Sequence, residues 1–386
     1  MNFNKNIPYA LPMIEEEEIN EVVQAIKSNW LSKGPRTVEF EKNFSEYVNS
    51  SFAVGLNSCT AGLHLSQLAV GIGVGDEVIT TPYTFASTVN TIIHTGAKPV
   101  LVDIDPVTMN IDPMKIEAAI TSKTKAIIPV HFAGFPCEMD MIMDIARKHK
   151  LIVIEDAAHA VYTNYKDRPV GSIGDITCFS FYATKNLVTG EGGMVTTKNE
   201  EYAERMRVMS LHGMSKNAWN RYSDKGSWYY EVEHAGFKYN MTDIQAAFGL
   251  IQLKKLEKMQ ALRTQYANMY NEAFKDIEGI TIPHDDSKHR HAWHLYVIHV
   301  DEEVFTIDRA EFIEELNKRG VGTSVHFIPI PIHPYYKNLG YHIEDYPEAY
   351  KAYKGAISLP LYPKMSKDDV GYVIAALNDV VKTFKK

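Results

Sequence analysis

Short apolar runs alternate with helical patterns over residues 52–197, and this alternation restricts the fold more than any other feature of the chain. The seven runs that we interpret as strands are Phe52–Leu56, Glu77–Thr80, Pro99–Asp103, Ala126–Val130, Leu151–Glu155, Thr177–Phe181 and Gly193–Thr197. Strands that alternate with helices are typical of a mostly parallel sheet covered by helices. We therefore predict an α/β fold with about seven strands and with functional side chains at the strands' carboxyl ends.

The pattern changes after Thr197. Leu211–Tyr239 is a long polar and aromatic segment without clear periodicity, which is typical of a lid, a binding loop or a disordered segment. We expect it to contribute to substrate specificity. A capping-box pair, Thr242 and Gln245, then predicts the start of a long helix that ends near Phe274. The remaining predicted elements are strands at His291–Val300 and Gly322–Phe327 and helices at Arg309–Lys318 and Lys367–Phe384.

The length of the chain, 386 residues, is large for a single core. We predict a large domain over residues 1–250, which includes an N-terminal helix. A smaller α+β domain is expected over residues 251–386.

Composition argues against several classes of function. The formal net charge is −8 and the sequence has no long basic run, so nucleic acid and anionic membranes are not expected partners. Three scattered cysteines without CxxC spacing indicate a reducing cytoplasm and no structural zinc. Ser51–Gly75 lacks charged residues, but its Asn, His and Gln residues favour a buried strand and helix over a membrane span.

Lys185 is the first candidate for chemistry. It follows an apolar strand, and no charged residue lies between Asp175 and Lys185. A lysine at the edge of an apolar pocket has a lowered pKa and becomes a usable amine nucleophile. Our hypothesis is that Lys185 forms a Schiff base with a carbonyl cofactor; the alternative is an ordinary surface lysine.

Asp156 ends another apolar strand and is followed by small residues. A carboxylate there is able to pair with a protonated ring nitrogen, as a pyridinium cofactor requires. The alternative is an N-cap of the next helix. His159 would contact the same cofactor, or would only pack in the core.

A phosphate site is indicated at the turn from Gly55 to Leu63, where free N–H groups of a helix start and the Thr60 hydroxyl suit an anion. Ser180 adds a hydroxyl near the lysine. The sequence has neither GxGxxG nor GxxxxGK[ST], which argues against a dinucleotide or P-loop site. Phe85, at a strand-to-helix junction, either stacks on a flat ring or packs in the core.

Together these stretches resemble the nucleotide-sugar aminotransferases of the aspartate-aminotransferase superfamily, which depend on pyridoxal 5'-phosphate (PLP) and have fold type I. The resemblance covers essentially the whole chain. Its motifs are the turn at Asn57–Ala61, TPYTFAST (Thr81–Thr88), EDAAHA (Glu155–Ala160), SFYATKN with GEGG (Ser180–Gly193), YNMTDIQAA (Tyr239–Ala247), VHF (Val325–Phe327) and SLPLYP (Ser358–Pro363).

The resemblance implies a role for each matching residue. Lys185 would hold PLP as a Schiff base, and Asp156 would pair with the pyridine nitrogen. Thr60, Ala61 and Ser180 would bind the phosphate, while Phe85 and His159 would lie against the ring. Asn240 would reach the phosphate of a neighbouring subunit in a homodimer with shared active sites. His326 is similar to a substrate-site residue, and no metal is implied.

The spacing of EDAAHA and the HAWHL segment resemble most the branch that aminates UDP-4-keto sugars, such as the UDP-4-amino-4-deoxy-L-arabinose aminotransferase. The expected reaction moves an amino group from glutamate to the C4 keto group of a nucleotide-linked sugar through pyridoxamine phosphate. The product would be a 4-amino sugar for cell-surface glycans such as lipopolysaccharide.

Three alternatives stay open at this point. One is amination of a 3-keto dTDP- or UDP-sugar, and another is a regulatory paralogue without catalysis. The third, a sugar 3-dehydratase of the same fold, is disfavoured because those enzymes replace the Schiff-base lysine with histidine, whereas this chain has Lys185.

Overall fold

In the computed structural model, which describes residues 3–214 and 230–386, strands and helices alternate through the N-terminal part. The strands are β1 (Phe52–Leu56), β2 (Glu77–Thr80), β3 (Lys98–Leu101), β4 (Thr124–Ile127), β5 (Ile152–Asp156), β6 (Asn164–Tyr165), β7 (Arg168–Pro169), β8 (Ile176–Ser180), β9 (Gly193–Thr197), β10 (Ile280–Thr281), β11 (Tyr296–Val300) and β12 (Ala356–Leu359). The helices are α1 (Glu16–Lys27), α2 (Pro35–Tyr47), α3 (Cys59–Ala69), α4 (Ala86–His94), α5 (Pro113–Ile116), α6 (Met139–His149), α7 (Glu200–Ser210), α8 (Asp243–Phe274), α9 (Arg309–Lys318), α10 (Pro334–Asn338), α11 (Pro347–Gly355) and α12 (Lys367–Phe384).

The main sheet has seven strands in the order β1-β9-β8-β5-β4-β2-β3. Strands β3, β2, β4, β5 and β8 pair in parallel, and β9 runs antiparallel to both of its neighbours. The prediction of a mostly parallel seven-stranded sheet flanked by helices is therefore confirmed. The fourth strand is shorter than predicted, because Val130 makes only an isolated bridge to Asp156 beyond the end of β4.

Alternate side chains of β8 enter different parts of the core. Cys178 packs with residues of α3, whereas Phe179 packs with Phe40 and Phe44 of α2. Successive side chains of a strand point to opposite faces of the sheet, so this alternation buries β8 from both sides. Helices on both faces of the sheet bury β8. The turn after Ser180, at the end of β8, therefore starts from a fixed position.

The C-terminal part contains a second, antiparallel sheet in the order β10-β11-β12. The predicted strand over His291–Val300 is wrong in its first half. Residues 292, 294 and 295 instead donate backbone hydrogen bonds to Ala133 and Gly134. The predicted strand Gly322–Phe327 is also wrong, since Ser324 alone of that segment forms a bridge, to Ser358 of β12.

Helix α8 links the two sheets. Its capping box forms as expected: Gln245 N–H donates to Thr242 Oγ1, and Thr242 N–H donates to Gln245 Oε1. The helix runs through position 250, where we place the domain boundary, and that division stays a prediction. Residues 215–229 of the predicted binding loop lie outside the described residues. Within 3–214 and 230–386, none of the helices is both long enough and apolar enough to cross a bilayer.

Candidate active site

Asp156 and Lys185 come from neighbouring strands of the main sheet. Asp156 is the last residue of β5 and pairs in register with Cys178 of β8. Lys185 lies in the turn that follows β8, where its N–H donates to the Tyr182 carbonyl at 2.9 Å. Both side chains line a cavity of about 510 Å³ at the carboxyl ends of these strands. Such an edge is where parallel α/β sheets bind ligands.

The cavity wall includes most of the predicted site residues. Those on the wall are Thr60, Phe85, Asp156, His159, Ser180, Lys185 and His326. Ala61 and Asn240 are not on the wall as the described residues form it. The Ala61 N–H donates to Ser58 Oγ at 3.1 Å as part of a helix cap, and the Asn240 side-chain amide donates to the Met241 carbonyl at 3.1 Å.

Burial makes the Lys185 amine less basic than an exposed lysine. Desolvation lowers the pKa of Lys185 to about 8, although Cys59 and Asp156 act in the opposite direction. The amine nitrogen lies 3.4 Å from Nε2 of His294. About a tenth of Lys185 is therefore unprotonated at pH 7, far more than for an exposed lysine, as a nucleophile or general base requires.

Asp156 is buried, and each oxygen of its carboxylate accepts a hydrogen bond. Thr88 Oγ1 donates to Oδ2 at 2.8 Å, and the Ala158 N–H donates to Oδ1 at 3.1 Å. Burial raises the pKa of Asp156 above its usual value, while these two hydrogen bonds and the charge of Lys185 lower it. A cation placed against this carboxylate would offset the cost of its burial.

Histidine and aromatic rings form the opposite wall. His159 accepts a hydrogen bond from the Ala133 N–H through Nδ1, at 3.2 Å, and stacks on Phe327. His326 shares a 2.8 Å hydrogen bond with Ser358 and stacks on Tyr9. Burial lowers the pKa of His159 well below its usual value and that of His326 to about 4. Both rings are therefore neutral at physiological pH.

The close approach of one glycine, Gly193, explains part of the GEGG motif. A Cβ on Gly193 would lie 2.5 Å from the Ser58 carbonyl carbon and 2.6 Å from the Cys59 nitrogen. Only glycine therefore lets β9 begin directly beside the start of α3. This approach brings the Ser180 end of β8 next to the Thr60 turn, which places two hydroxyl side chains on one side of the cavity.

The residues fit PLP by the chemistry of their groups. A buried carboxylate suits a protonated ring nitrogen, an amine of lowered pKa suits an aldehyde, and two hydroxyls beside a helix start suit a phosphate. Phe85 is 63% exposed and faces the same cavity, so its ring face is available for stacking. The four requirements of the cofactor meet in one cavity.

Sequence reasoning missed several wall residues. Tyr9 comes from the N-terminal segment, and Phe327 reaches the cavity from the C-terminal part. Sequence reasoning also missed Thr88, which bonds to Asp156 without lining the cavity. His294 belongs to the HAWHL segment, which we noted only as a family motif. Alternation within that segment predicted a strand and carried no signal for its contact with Lys185.

Comparison with known proteins agrees with this geometry. Residues 12–378 match the DegT/DnrJ/EryC1/StrS aminotransferase family. The spore coat polysaccharide biosynthesis protein SpsC of Bacillus subtilis is 59% identical, with 98% of each chain covered.

Two solved structures are similar over nearly the whole chain. The putative sugar aminotransferase Spr1654 from Streptococcus pneumoniae, solved in PLP, pyridoxamine phosphate and apo forms, has 36% identity and a TM-score of 0.92 over 98% of this chain and 98–99% of that chain. Helicobacter pylori PseC, an aminotransferase involved in the biosynthesis of pseudoaminic acid, has 31% identity and a TM-score of 0.91, covering 98% of this chain and 100% of that chain. The chain is therefore a PLP-dependent sugar aminotransferase and belongs to the DegT/DnrJ/EryC1/StrS aminotransferase family.

Proposed function

We propose that this enzyme transfers the amino group of glutamate to the C4 keto group of a nucleotide-linked sugar, most simply a UDP-sugar, for a cell-surface glycan. The observation that carries the proposal is the shared cavity of Lys185 and Asp156 at the ends of two adjacent strands. The EDAAHA and HAWHL segments support the 4-amino branch. The names of SpsC and PseC, in polysaccharide and pseudoaminic acid biosynthesis, support a glycan product.

The roles of the site residues are part of the proposal. Bound PLP supplies an electrophilic carbon and a ring that accepts electron density. Asp156 holds the positive charge of the ring nitrogen, and Lys185 Nζ takes a proton from the donor and later returns it. A pKa of about 8 leaves Lys185 able to do both near neutral pH.

The remaining residues position the two substrates. Thr60, Ala61 and Ser180 are assigned to the phosphate, and Phe85 and His159 to the two faces of the ring. His326 lies at the cavity wall beside Tyr9, so we assign it to the sugar nucleotide. Neutral histidines there accept and donate hydrogen bonds to sugar hydroxyls without adding charge.

A homodimer completes the proposal, with Asn240 directed to the neighbouring subunit. Large apolar side chains form an exposed stripe on α1 and the loop after it. The stripe consists of Ile19, Val23, Ile26, Trp30 and Leu31. The spacing of Ile19, Val23 and Ile26 places these three on one face of α1, and an exposed apolar face of this kind marks an interface. We also propose a cytoplasmic location, supported by three buried cysteines that are free thiols.

The test is a panel of enzymatically generated 4-keto UDP-, GDP- and dTDP-sugars and 3-keto dTDP- and UDP-sugars. Each is incubated with the enzyme, PLP and glutamate, and the product is identified by NMR. We expect a 4-amino UDP-sugar together with 2-oxoglutarate. A preference for a 3-keto substrate would overturn the 4-amino assignment while leaving transamination intact.

A further inference from the structure

His294 faces the Lys185 amine from a rigid position. Its Nε2 lies 3.4 Å from Lys185 Nζ, within hydrogen-bonding reach. The His294 N–H donates to the Ala133 carbonyl at 2.9 Å, and the His294 carbonyl accepts from Arg263 Nη1 at 3.4 Å. The two backbone groups are thus held by different elements, and His294 is only 6% exposed. The imidazole is therefore fixed relative to the lysine.

Neighbouring amides determine which ring nitrogen carries the proton. The Ala292 carbonyl can only accept hydrogen bonds. It accepts one from Nδ2 of Asn186 and one from Nε2 of Gln260, each at 2.6 Å. Asn186 Nδ2 also donates to Gln260 Oε1 at 3.0 Å. Asn186 Oδ1 is consequently the atom that faces His294 Nδ1, at 3.0 Å. An oxygen at that distance requires a proton on Nδ1, which leaves a lone pair on Nε2.

The charged and titratable groups around His294 keep it neutral. Lys185 faces Nε2, His159 lies with its ring 4.4 Å away, Arg263 contacts the backbone, and His326 stands across the cavity. Burial, followed by these four groups, lowers the pKa of His294 well below its usual value. Around neutral pH His294 is therefore an acceptor toward Lys185 and does not compete with it for a proton.

We propose that His294 is a positioning residue for Lys185, holding the free amine by a hydrogen bond to Nε2 in a tautomer fixed by Asn186 and Gln260. The inference rests on the proposed function because it concerns the state in which Lys185 acts as a free base. In that state one amine N–H points to Nε2. The lone pair of Lys185 Nζ would be repelled by the lone pair on His294 Nε2. It is therefore turned away from His294 and remains available to take a proton.

The experiment uses the full-length protein without cofactor, so it does not depend on turnover. Lys185 is acetylated with trace acetic anhydride at a series of pH values, and mass spectrometry of its peptide gives the pKa of the amine. The variants are His294→Phe, which removes the acceptor but keeps a ring, and His294→Gln, whose Oε1 reaches the position of Nε2. His291→Phe is the matched control, because His291 is also buried but stacks on Trp293.

A hydrogen bond to Nε2 stabilises the ammonium form, so its loss lowers the pKa of Lys185. We expect a fall of about one pH unit in His294→Phe, and a value within about half a unit of wild type in His294→Gln and His291→Phe. Asn186→Leu keeps His294 but removes the oxygen that holds the proton on Nδ1, so Nε2 no longer has to be the acceptor. This variant should also lower the pKa of Lys185. Circular dichroism checks that every variant is folded.

An unchanged pKa in both folded His294→Phe and Asn186→Leu overturns the proposal, and so does an equal fall in His291→Phe. If His294→Phe does not fold, the Asn186→Leu result decides. The PLP absorbance of the wild-type enzyme and of Lys185→Ala is measured separately. Failure of that absorbance test contradicts the role of Lys185 itself, whereas a normal result with unshifted pKa values contradicts only the role of His294.

Discussion

The Thr88 hydroxyl donates a 2.8 Å hydrogen bond to Oδ2 of Asp156, and it is itself within 2.8 Å of the Thr84 hydroxyl. Asp156 ends β5, whereas Thr88 lies on α4, the helix that follows β2. The bond therefore joins the end of one strand to a helix from another. It stabilises the ionised carboxylate, which burial disfavours.

Replacing Thr88 with valine keeps the shape of the side chain and removes the donor. The pKa of Asp156 should rise further, since the charged form loses a partner. The acid-side midpoint of the pH profile of kcat/KM should then rise by roughly 0.5–1 pH unit. Thr91→Val is the control, because Thr91 is buried in α4 but bonds to the Thr88 carbonyl and Gln67. Equal profiles for the two variants would refute the role of Thr88.

Lys185→Ala should abolish both PLP attachment and turnover. We expect the visible absorbance of lysine-bound PLP, at about 410–430 nm, to disappear, and the rate to fall about a thousandfold or more. Lys198→Ala, at an exposed lysine that donates to the Ser172 carbonyl, serves as the control and should retain both properties. A fully active Lys185→Ala variant would contradict the assignment of the reactive lysine.

The lowered pKa of Lys185 also predicts a pH-dependent stability. Its folded pKa of about 8 lies below the unfolded value of about 10.4, so the folded state disfavours the charged form. The resulting cost is fully present below pH 8 and is relieved as the pH rises toward 10.4. Lys185→Met should therefore raise the melting temperature of the cofactor-free protein at pH 7, and this advantage over wild type should shrink by pH 10. A difference that does not change with pH would argue against a buried amine.

Asp243 clamps the start of α2 to the start of α8. Its carboxylate accepts hydrogen bonds from the N–H groups of Gly34, Arg36 and Thr37 and from the Thr37 hydroxyl, at 2.7–3.1 Å. Asp243→Ala should lower the free energy of unfolding by roughly 2–3 kcal/mol, measured by urea denaturation. Asp308→Ala, which removes an exposed cap of α9, is the comparison and should cost about 1 kcal/mol. If both variants lose the same free energy of unfolding, the hydrogen bonds from Asp243 to α2 add nothing beyond a helix cap.

The apolar stripe on α1 predicts the oligomeric state. The wild-type enzyme should sediment as a dimer, and Ile26→Asp should shift it toward the monomer because a charge in the middle of an apolar interface is desolvated. Val74→Asp changes an exposed valine in a turn far from the stripe and should leave the mass unchanged. Should Ile26→Asp remain fully dimeric, the subunits must meet through another face.

The alternation of strands and helices was sufficient to predict the main sheet, and strand ends predicted that Asp156 and Lys185 would share one cavity. Asp156 and Lys185 follow strands that pair directly, so strand ends alone brought them together. The remaining wall depends on contacts between distant segments. Tyr9 and His326 stack across 317 positions of sequence, and no local pattern encodes such a pair.

The errors of the fold prediction have a common physical cause. The apolar residues of His291–Val300 and Gly322–Phe327 suggested strands, but burial does not specify what the backbone bonds to. In the first segment, residues 292, 294 and 295 donate backbone hydrogen bonds to Ala133 and Gly134 instead of to a strand. The mispredicted segment is also the one that places His294 at 3.4 Å from Lys185, the contact on which our further inference rests.

The pairing of β5 with β8 has a further consequence for how such an enzyme tolerates change. The separation of the acid and the amine is set by backbone hydrogen bonds between two central strands, whereas Tyr9, Phe85 and His326 reach the cavity from segments outside them. The pairing of these strands thus holds the chemical centre independently of the segments that supply Tyr9 and His326. We therefore expect that exchanging the segments around Tyr9 and His326 would change which sugar nucleotide binds while leaving Asp156 and Lys185 in place.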